Sequence, residues 1–228
     1  MSKYSELVYM VLDELKGMSD DFTYTEDHII FLLEKYRAFL LNQKYSKGNI
    51  EVPESNYQIV CLELIQVPAI SGEPCEGGTY LRSRNKVPYL IPIGSPKAFP
   101  ANYYQGEITY VSRDRMRYVG HNKYLQNIIY CSISPDGYMY LKSYNPQFLY
   151  LELVRFSGVF QDVHEASVLQ DNSVSIPVMD RDFPIEEALV SPLIELVVKE
   201  LVNAEYRPED TNNNAHDDLQ GLMVKSSK

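Results

Sequence analysis

IEEALVSPLIELVVKELVNAEY, residues 185 to 206, is the stretch around which the chain is organised. Asp182 and Pro184 mark a helix start, an acceptor side chain ahead of a proline in the first turn. Apolar residues then run Ile185, Ala188, Leu189, Val190, Leu193, Ile194, Leu196, Val197, Val198, Leu201 and Val202. At about 100° per residue, Glu187, Ser191, Glu195, Lys199 and Asn203 fall into one narrow polar stripe. Outside it only Glu186 and Glu200 break the apolar surface. A surface helix is apolar on one side; this one asks for cover from several directions, as the middle of a bundle or as a contact between copies of the chain. The expectation is that one molecule does not cover it alone and that sister molecules complete it. Pro192 either kinks the helix or opens a second one capped by Ser191. Because the apolar surface continues across it, a kink or short break is the favoured reading.

Two amino-terminal helices supply cover. Tyr4, Leu7, Val8, Val11 and Leu15 keep helical spacing, and Gly17 is a stop. Thr23 with Glu26 fits a capping box, with Thr25 as the other candidate cap. Ile29, Leu32, Leu33, Tyr36, Phe39 and Leu40 form the inner stripe of the second helix, while Arg37 and Lys44 suit its carboxyl end electrostatically. The short link predicts an antiparallel hairpin.

After Gly48 the character changes. Tyr57 to Val67, bounded by Pro53 and Pro68, reads as a strand. Residues 68–106 are rich in proline and glycine and predict short strands with long excursions. Further strands are expected at Glu107–Val111, Ile128–Ser132, Tyr138–Ser143 and Phe148–Phe160. Ser134-Pro135-Asp136-Gly137 is a turn with a mechanism: proline presets φ, aspartate bonds its own backbone, glycine takes the left-handed position. Residues 162–183 read as a return link with a short strand near Val174–Val178. The fold class is therefore α+β. Residues 1–50 with 180–206 form a helical bundle, 51–179 a central antiparallel β-rich domain, and 207–228 an extended carboxy-terminal arm with too few apolar residues to fold alone.

A net charge of −10 argues against generic duplex-DNA binding, which a basic face normally supplies. No apolar run approaches the roughly 20 residues of a membrane span, and the amino terminus lacks the pattern of a signal peptide. Cys61, Cys75 and Cys131, odd in number and widely spaced, point to a reducing site of folding. With His121 they lack the spacing of a zinc site and read as small buried hydrophobes. There is no GxSxG elbow, and Gly72–Gly78 lacks the Lys-Ser/Thr ending of a phosphate loop. Glu186–Glu187, Asp20–Asp21 and Asp217–Asp218 are sequence neighbours whose side chains diverge by about 100° on a helix, so they are not acid–base pairs. No catalytic residue, metal ligand or cofactor is assigned.

Arg82-x-Arg84-x-Lys86 and Arg113-x-Arg115-x-Arg117 would each align three cations on one face of an extended segment. Such faces suit the acidic surface of another copy or nucleic acid; charge guarding an exposed edge strand is an equal reading. Tyrosines crowd the same region, among them Tyr104, Tyr110, Tyr118, Tyr124, Tyr138 and Tyr144, as at an interface or in a core with wet rims.

Several strings, Tyr104-Gln-Gly-Glu-Ile-Thr-Tyr-Val-Ser-Arg-Asp-Arg, Asn127-Ile-Ile-Tyr, Ser134-Pro-Asp-Gly-Tyr and Asn145-Pro-Gln-Phe, resemble virion proteins of crAss-like and related podoviruses of Bacteroidetes. So do Glu186-Glu-Ala-Leu-Val and the Arg207-Pro-x-Asp start of the tail. Members look like head-to-tail connector rings beneath the portal, similar in plan to the tail tubular protein A-like adaptor. The resemblance implies a structural, non-enzymatic ring subunit, about twelve copies per ring, with portal and other connector or tail ring proteins as partners and genomic DNA in the channel. It implies a virion location after assembly in the host cytoplasm, and no membrane. Pro208, Asp210, Asn214, Asp218, Leu219 and Leu222 are expected to bind an adjacent ring or the portal. Arg82, Arg84, Arg113, Arg115 and Arg117 are expected between neighbouring subunits. An acidic chain around DNA lets the backbone slide. The alternative is a nucleic-acid-binding module using the Arg/Tyr-rich β segment.

Overall fold

Helix α5 runs Val190–Glu205, five residues short of the predicted start. Beginning at Ile185 would have put Pro192 inside the helix, where its ring meets the carbonyl four residues back. Instead Glu186 holds an extended backbone and its N–H donates to Asn56 Oδ1 at 3.0 Å. A 3₁₀ turn at Glu187–Leu189 follows, and Pro192 sits in the first turn of α5, where no N–H is needed. Pro192 thus stands at the opening of an α-helix, as the alternative reading had it, although that helix begins at Val190 and not after a Ser191 cap. The structure, a computed structural model, describes residues 2–18, 24–47, 50–68, 79–101, 108–116, 118–120, 122, 124–170 and 176–205.

The chain is α+β. Helices α1 (Tyr4–Met18) and α2 (Glu26–Tyr45) cover α5 within one molecule. Tyr4, Leu7, Val8, Val11 and Leu15 of α1 join Ile29, Leu32, Leu33, Leu40 and Leu41 of α2 around Leu193, Ile194, Val197, Val198 and Leu201, all buried. The expectation that sister molecules must complete this helix is thus corrected: two helices of the same chain flank it, leaving Glu195, Lys199 and Asn203 to solvent. The cap of α2 is Thr25, without a side-chain hydrogen bond; Thr23 lies outside the described residues. Phe39, expected inside, is exposed, and Arg37, read only as a base suited to the carboxyl end of the helix, is wholly buried.

The β part is a closed barrel of β1 (Gln58–Pro68), β2 (Thr79–Ser83), β3 (Lys97–Pro100), β4 (Ile108–Tyr110), β5 (Ile129–Ile133), β6 (Met139–Lys142) and β7 (Leu153–Gly158). Their order around it is β1-β2-β6-β5-β4-β3-β7. Every pairing is antiparallel except β4 with β5, which is parallel, so the antiparallel expectation holds for all neighbours but one. Alternate residues point inward: Val60, Leu62, Leu81, Ala98, Ile108, Ile129, Cys131, Met139, Leu141, Val154 and Phe156 fill the barrel.

The β5–β6 hairpin forms as predicted. Gly137 has φ +86°, Tyr138 N–H donates to Asp136 Oδ1 at 3.1 Å, and Ser134 N–H closes onto Tyr138 O at 2.9 Å. Three expectations fail. Phe148–Phe160 is a 3₁₀ turn (Pro146–Tyr150) capped by Asn145 and then the shorter β7. Arg113–Met116 is a single helical turn, α3, not the extended segment that a three-cation face requires. The return link holds helix α4 (Val163–Gln170) and a 3₁₀ turn at Val178–Asp180 in place of a strand there; residues 171–175 lie outside the description.

Barrel and helices are tied through Arg37. Its Nε–H donates to Pro184 O at 2.6 Å, one Nη to Phe160 O at 2.8 Å and the other to Asn56 O at 3.1 Å. Beside it, Glu34 accepts from Tyr4 Oη at 2.7 Å and from His164 N–H at 3.0 Å. Burial raises the Glu34 carboxyl above its usual range, although both hydrogen bonds and His164 pull it down. A raised carboxyl binds its proton more readily folded than unfolded. Its contribution to stability therefore falls as pH rises from the unfolded value through the folded one. Glu34→Gln keeps an oxygen for both donors and removes the charge. It is expected to stabilise the protein at neutral pH and to flatten this fall, read from urea midpoints between pH 4 and 7; unchanged midpoints would count against it.

Candidate functional site

The barrel has two unlike outer walls. On one, Tyr80, Met116 and Tyr130 are buried together, with Val67, Val111, Val119 and Ile128 packed against them, so Val111, Met116, Val119 and Ile128 cover this wall. On the other, β1, β7 and β3 lie side by side with Ile59 opposite Ser157 and Ser157 opposite Lys97, then Cys61 opposite Arg155 and Arg155 opposite Phe99. These two rows share one outward face, and among them Ile59, Lys97, Phe99 and Arg155 are exposed. Beside them a groove of about 770 Å³ runs under Ile50, Val52 and Tyr57. Gly94, with φ +66°, edges it because any side chain there would run into the Tyr57 hydroxyl.

The first basic run is divided. Arg82, half-buried on the covered wall, lies 4.5 Å over the ring of Tyr138, and Lys86 lies 5.9 Å from the same ring. Arg84 pairs with Glu63 at 3.0 Å on the surface, a contact worth about 1 kcal/mol or less. The second run does not form the extended three-cation face that was expected: Arg113 and Arg115 sit in the α3 turn, about 200° apart around its axis, and Arg117 lies outside the described residues. A nucleic-acid surface built on that face loses its geometry. Pro208, Asp210, Asn214, Asp218, Leu219 and Leu222 also fall outside the description.

Cys61 is half-buried on the bare wall and Cys131 faces the barrel interior, where burial pushes its thiol up to about 12. Cys75 and His121 lie outside the described residues, among which no group of His, Cys, Asp and Glu is placed to hold a metal. Glu186 accepts from Lys44 Nζ at 2.6 Å and Tyr45 Oη at 2.8 Å, a structural contact, while Glu187 is exposed. The tyrosines of the covered wall and of the segments beside it differ in burial. Tyr80, Tyr130 and Tyr140 are buried in the covered wall; Tyr118, Tyr124, Tyr144 and Tyr150 are exposed on segments flanking β5 and β6. No described helix is long and apolar enough to cross a membrane.

Sequence reasoning missed Ile59 and Phe99, because an outward apolar residue on a strand looks like a core residue until the register is known. Phe31 had a visible cue. It stands two residues from both Ile29 and Leu33, about 200° round the axis of α2 and so on the opposite side.

Set against known proteins, residues 6–219 match the family described as phage tail ring protein 2. A curated relative, "Ring protein 2" of Bacteroides phage crAss001, is 63% identical over 219 residues, taking in 95% of this chain and 97% of that relative.

Proposed function

We propose that this chain, which belongs to the phage tail ring protein 2 family, is a structural subunit of a ring in the head-to-tail connector beneath the portal of a crAss-like phage. The observation that carries this is the extent of the likeness: 63% identity along nearly the whole of both chains takes in the helices and the barrel alike. On this reading the protein does no catalysis and needs no cofactor. It works by packing, in a cyclic and heterologous arrangement where one patch of a subunit meets a different patch of the next.

Residues 1–50 with 180–206 act as the helical bundle, 51–179 as the β domain, and 207–228 as the arm. The arm, through Pro208, Asp210, Asn214, Asp218, Leu219 and Leu222, contacts an adjacent ring or the portal. Arg82, Arg84, Arg113, Arg115 and Arg117 face neighbouring subunits. About twelve copies enclose the DNA channel, and the net charge of −10 keeps the DNA backbone from being held. Electron microscopy of the purified protein should show rings. Light scattering that finds a compact monomer at every concentration overturns the reading.

A further inference from the structure

We infer that the bare β1–β7–β3 wall of one copy receives the α2–α5 face of the next, so that the ring is built barrel-to-helix. This rests on the ring reading and assigns the two faces of its subunit contact. Three observations support it.

The wall is apolar where a free surface would be polar. Ile59 is 46% exposed and Phe99 45%, with Ile50 at 55% beside the groove. A single exposed apolar residue means little, but three around one groove mark an interaction surface. On the opposite wall the strand residues Tyr80 and Tyr130 are covered, and the exposed rings there, Tyr118 and Tyr124, belong to the segment between β4 and β5 and not to the sheet.

The helical part carries a matching face. Asp27, Phe31, Lys35 and Phe39 recur every four residues and so share one stripe of α2. Phe31 is 61% exposed and Phe39 54%. Lys35 reaches Glu200 of α5 at 3.6 Å, which sets the stripe beside α5.

Charge then decides which face meets which. Residues 57–159 hold ten Lys and Arg against seven Asp and Glu, a net +3, so the rest of the chain carries −13 of the total −10. On the wall itself Lys97 and Arg155 are both exposed; Glu51 and Glu54 line the groove beside them, and Glu63 on β1 is paired with Arg84, so the positive balance belongs to the barrel as a whole. Wall against wall would set these cations on their own copies, and helices against helices would join two strongly acidic parts. Barrel against helices pairs unlike charges and leaves each copy with one unused face of each kind. That is the head-to-tail contact which closes as a ring when the rotation allows it.

Cys61 supplies a native probe on the wall, while Cys131 is shut inside the barrel. The test joins Asn42→Cys, exposed at the end of the α2 stripe and leaving both phenylalanines in place, with Cys75→Ser. A short bismaleimide added to assembled protein is expected to give a ladder of linked chains well beyond the dimer, since each copy offers one thiol on each face. Adding Cys61→Ser should abolish the ladder. Products that stop at dimers mean that like faces meet, and wild-type rings that give no ladder mean that these faces are apart; either result overturns the inference while the ring reading stands. Wild-type protein that never forms rings overturns both. Independently, Phe39→Asp and Phe99→Asp are each expected to raise the concentration needed for rings at least tenfold with thermal midpoints unchanged. Rings at the wild-type concentration from either variant would also overturn it.

Discussion

Arg37→Met is expected to lower the unfolding free energy by about 4 kcal/mol, a large share of the 5–15 kcal/mol typical of a domain. The guanidinium is fully buried, and its hydrogen-bond partners among the described residues are the carbonyls of Pro184, Phe160 and Asn56. These belong to the strap before α5, the end of β7 and the turn before β1, so one side chain fastens three separate segments to α2. The Phe183 ring, 5.9 Å from the guanidinium carbon, lies over it, and Tyr4 packs edge-on against Phe183 at 4.9 Å. Methionine can fill the stem's volume but leaves three carbonyls unpaired in a dry site, at roughly 1–3 kcal/mol each. Part of that is offset because the cation itself is costly to bury: desolvation draws its pKa down to about 10. Lysine should rescue less than half of the loss, since a point donor cannot fork to three carbonyls held in three directions. The measurement is the urea midpoint at constant m-value. A loss below about 1 kcal/mol would show that water or a shifted strap replaces the fork. A two-step curve would show instead that helices and barrel had become separate folding units.

Much of the helical part was legible from spacing alone. Tyr4, Leu7, Val8, Val11 and Leu15 repeat at helical intervals, and all five are buried. Arg37 follows Ile29 and Leu33 at steps of four, so its place on the inner face of α2 was in the pattern; a charge-based preference for the helix end hid it. The Ser134–Gly137 turn was readable because each residue has a local reason to be there. Barrel closure was not. It depends on β3 pairing with β7 and β4 lying parallel to β5, contacts between strands of three to six residues whose partners no local pattern names. Helix α4 was equally hidden, since eight residues are too few to nucleate alone. It is held by tertiary bonds, Gln58 Nε2–H to Val163 O at 3.2 Å and His164 N–H to the Glu34 carboxylate. The broad apolar surface of α5 was read correctly as needing several neighbours, and the two amino-terminal helices were among them; the further demand for sister molecules was the error. Periodicity counts how much surface must be covered, and it is silent on whether the cover comes from the same molecule.

Deleting residues 207–228 is expected to abolish rings while leaving the melting transition of the subunit in place. The two halves of that statement rest on different physics. The apolar side of α5 is already enclosed by α1 and α2, and Leu201, its last fully buried residue, lies ahead of the cut; Tyr24 Oη donates to its carbonyl at 2.8 Å. The described residues that enclose α5 all remain after the cut. The arm's own apolar residues, Leu219, Leu222, Met223 and Val224, gather near its far end behind three asparagines and two aspartates. Burying four such side chains against a partner gains roughly 6–12 kcal/mol before costs, at about 1.5–3 kcal/mol each. Ordering the segment takes back about 2–5 kcal/mol or more. What remains, a few kcal/mol per junction, is between one and several powers of ten in affinity, since each 1.4 kcal/mol is about tenfold. Repeated at every junction of a closed ring, that loss separates assembled from unassembled protein at ordinary concentrations. The check is electron microscopy beside a thermal melt on the same sample. Rings from the truncated chain would remove the arm from assembly, and a lowered melting point would show that it folds back onto its own subunit.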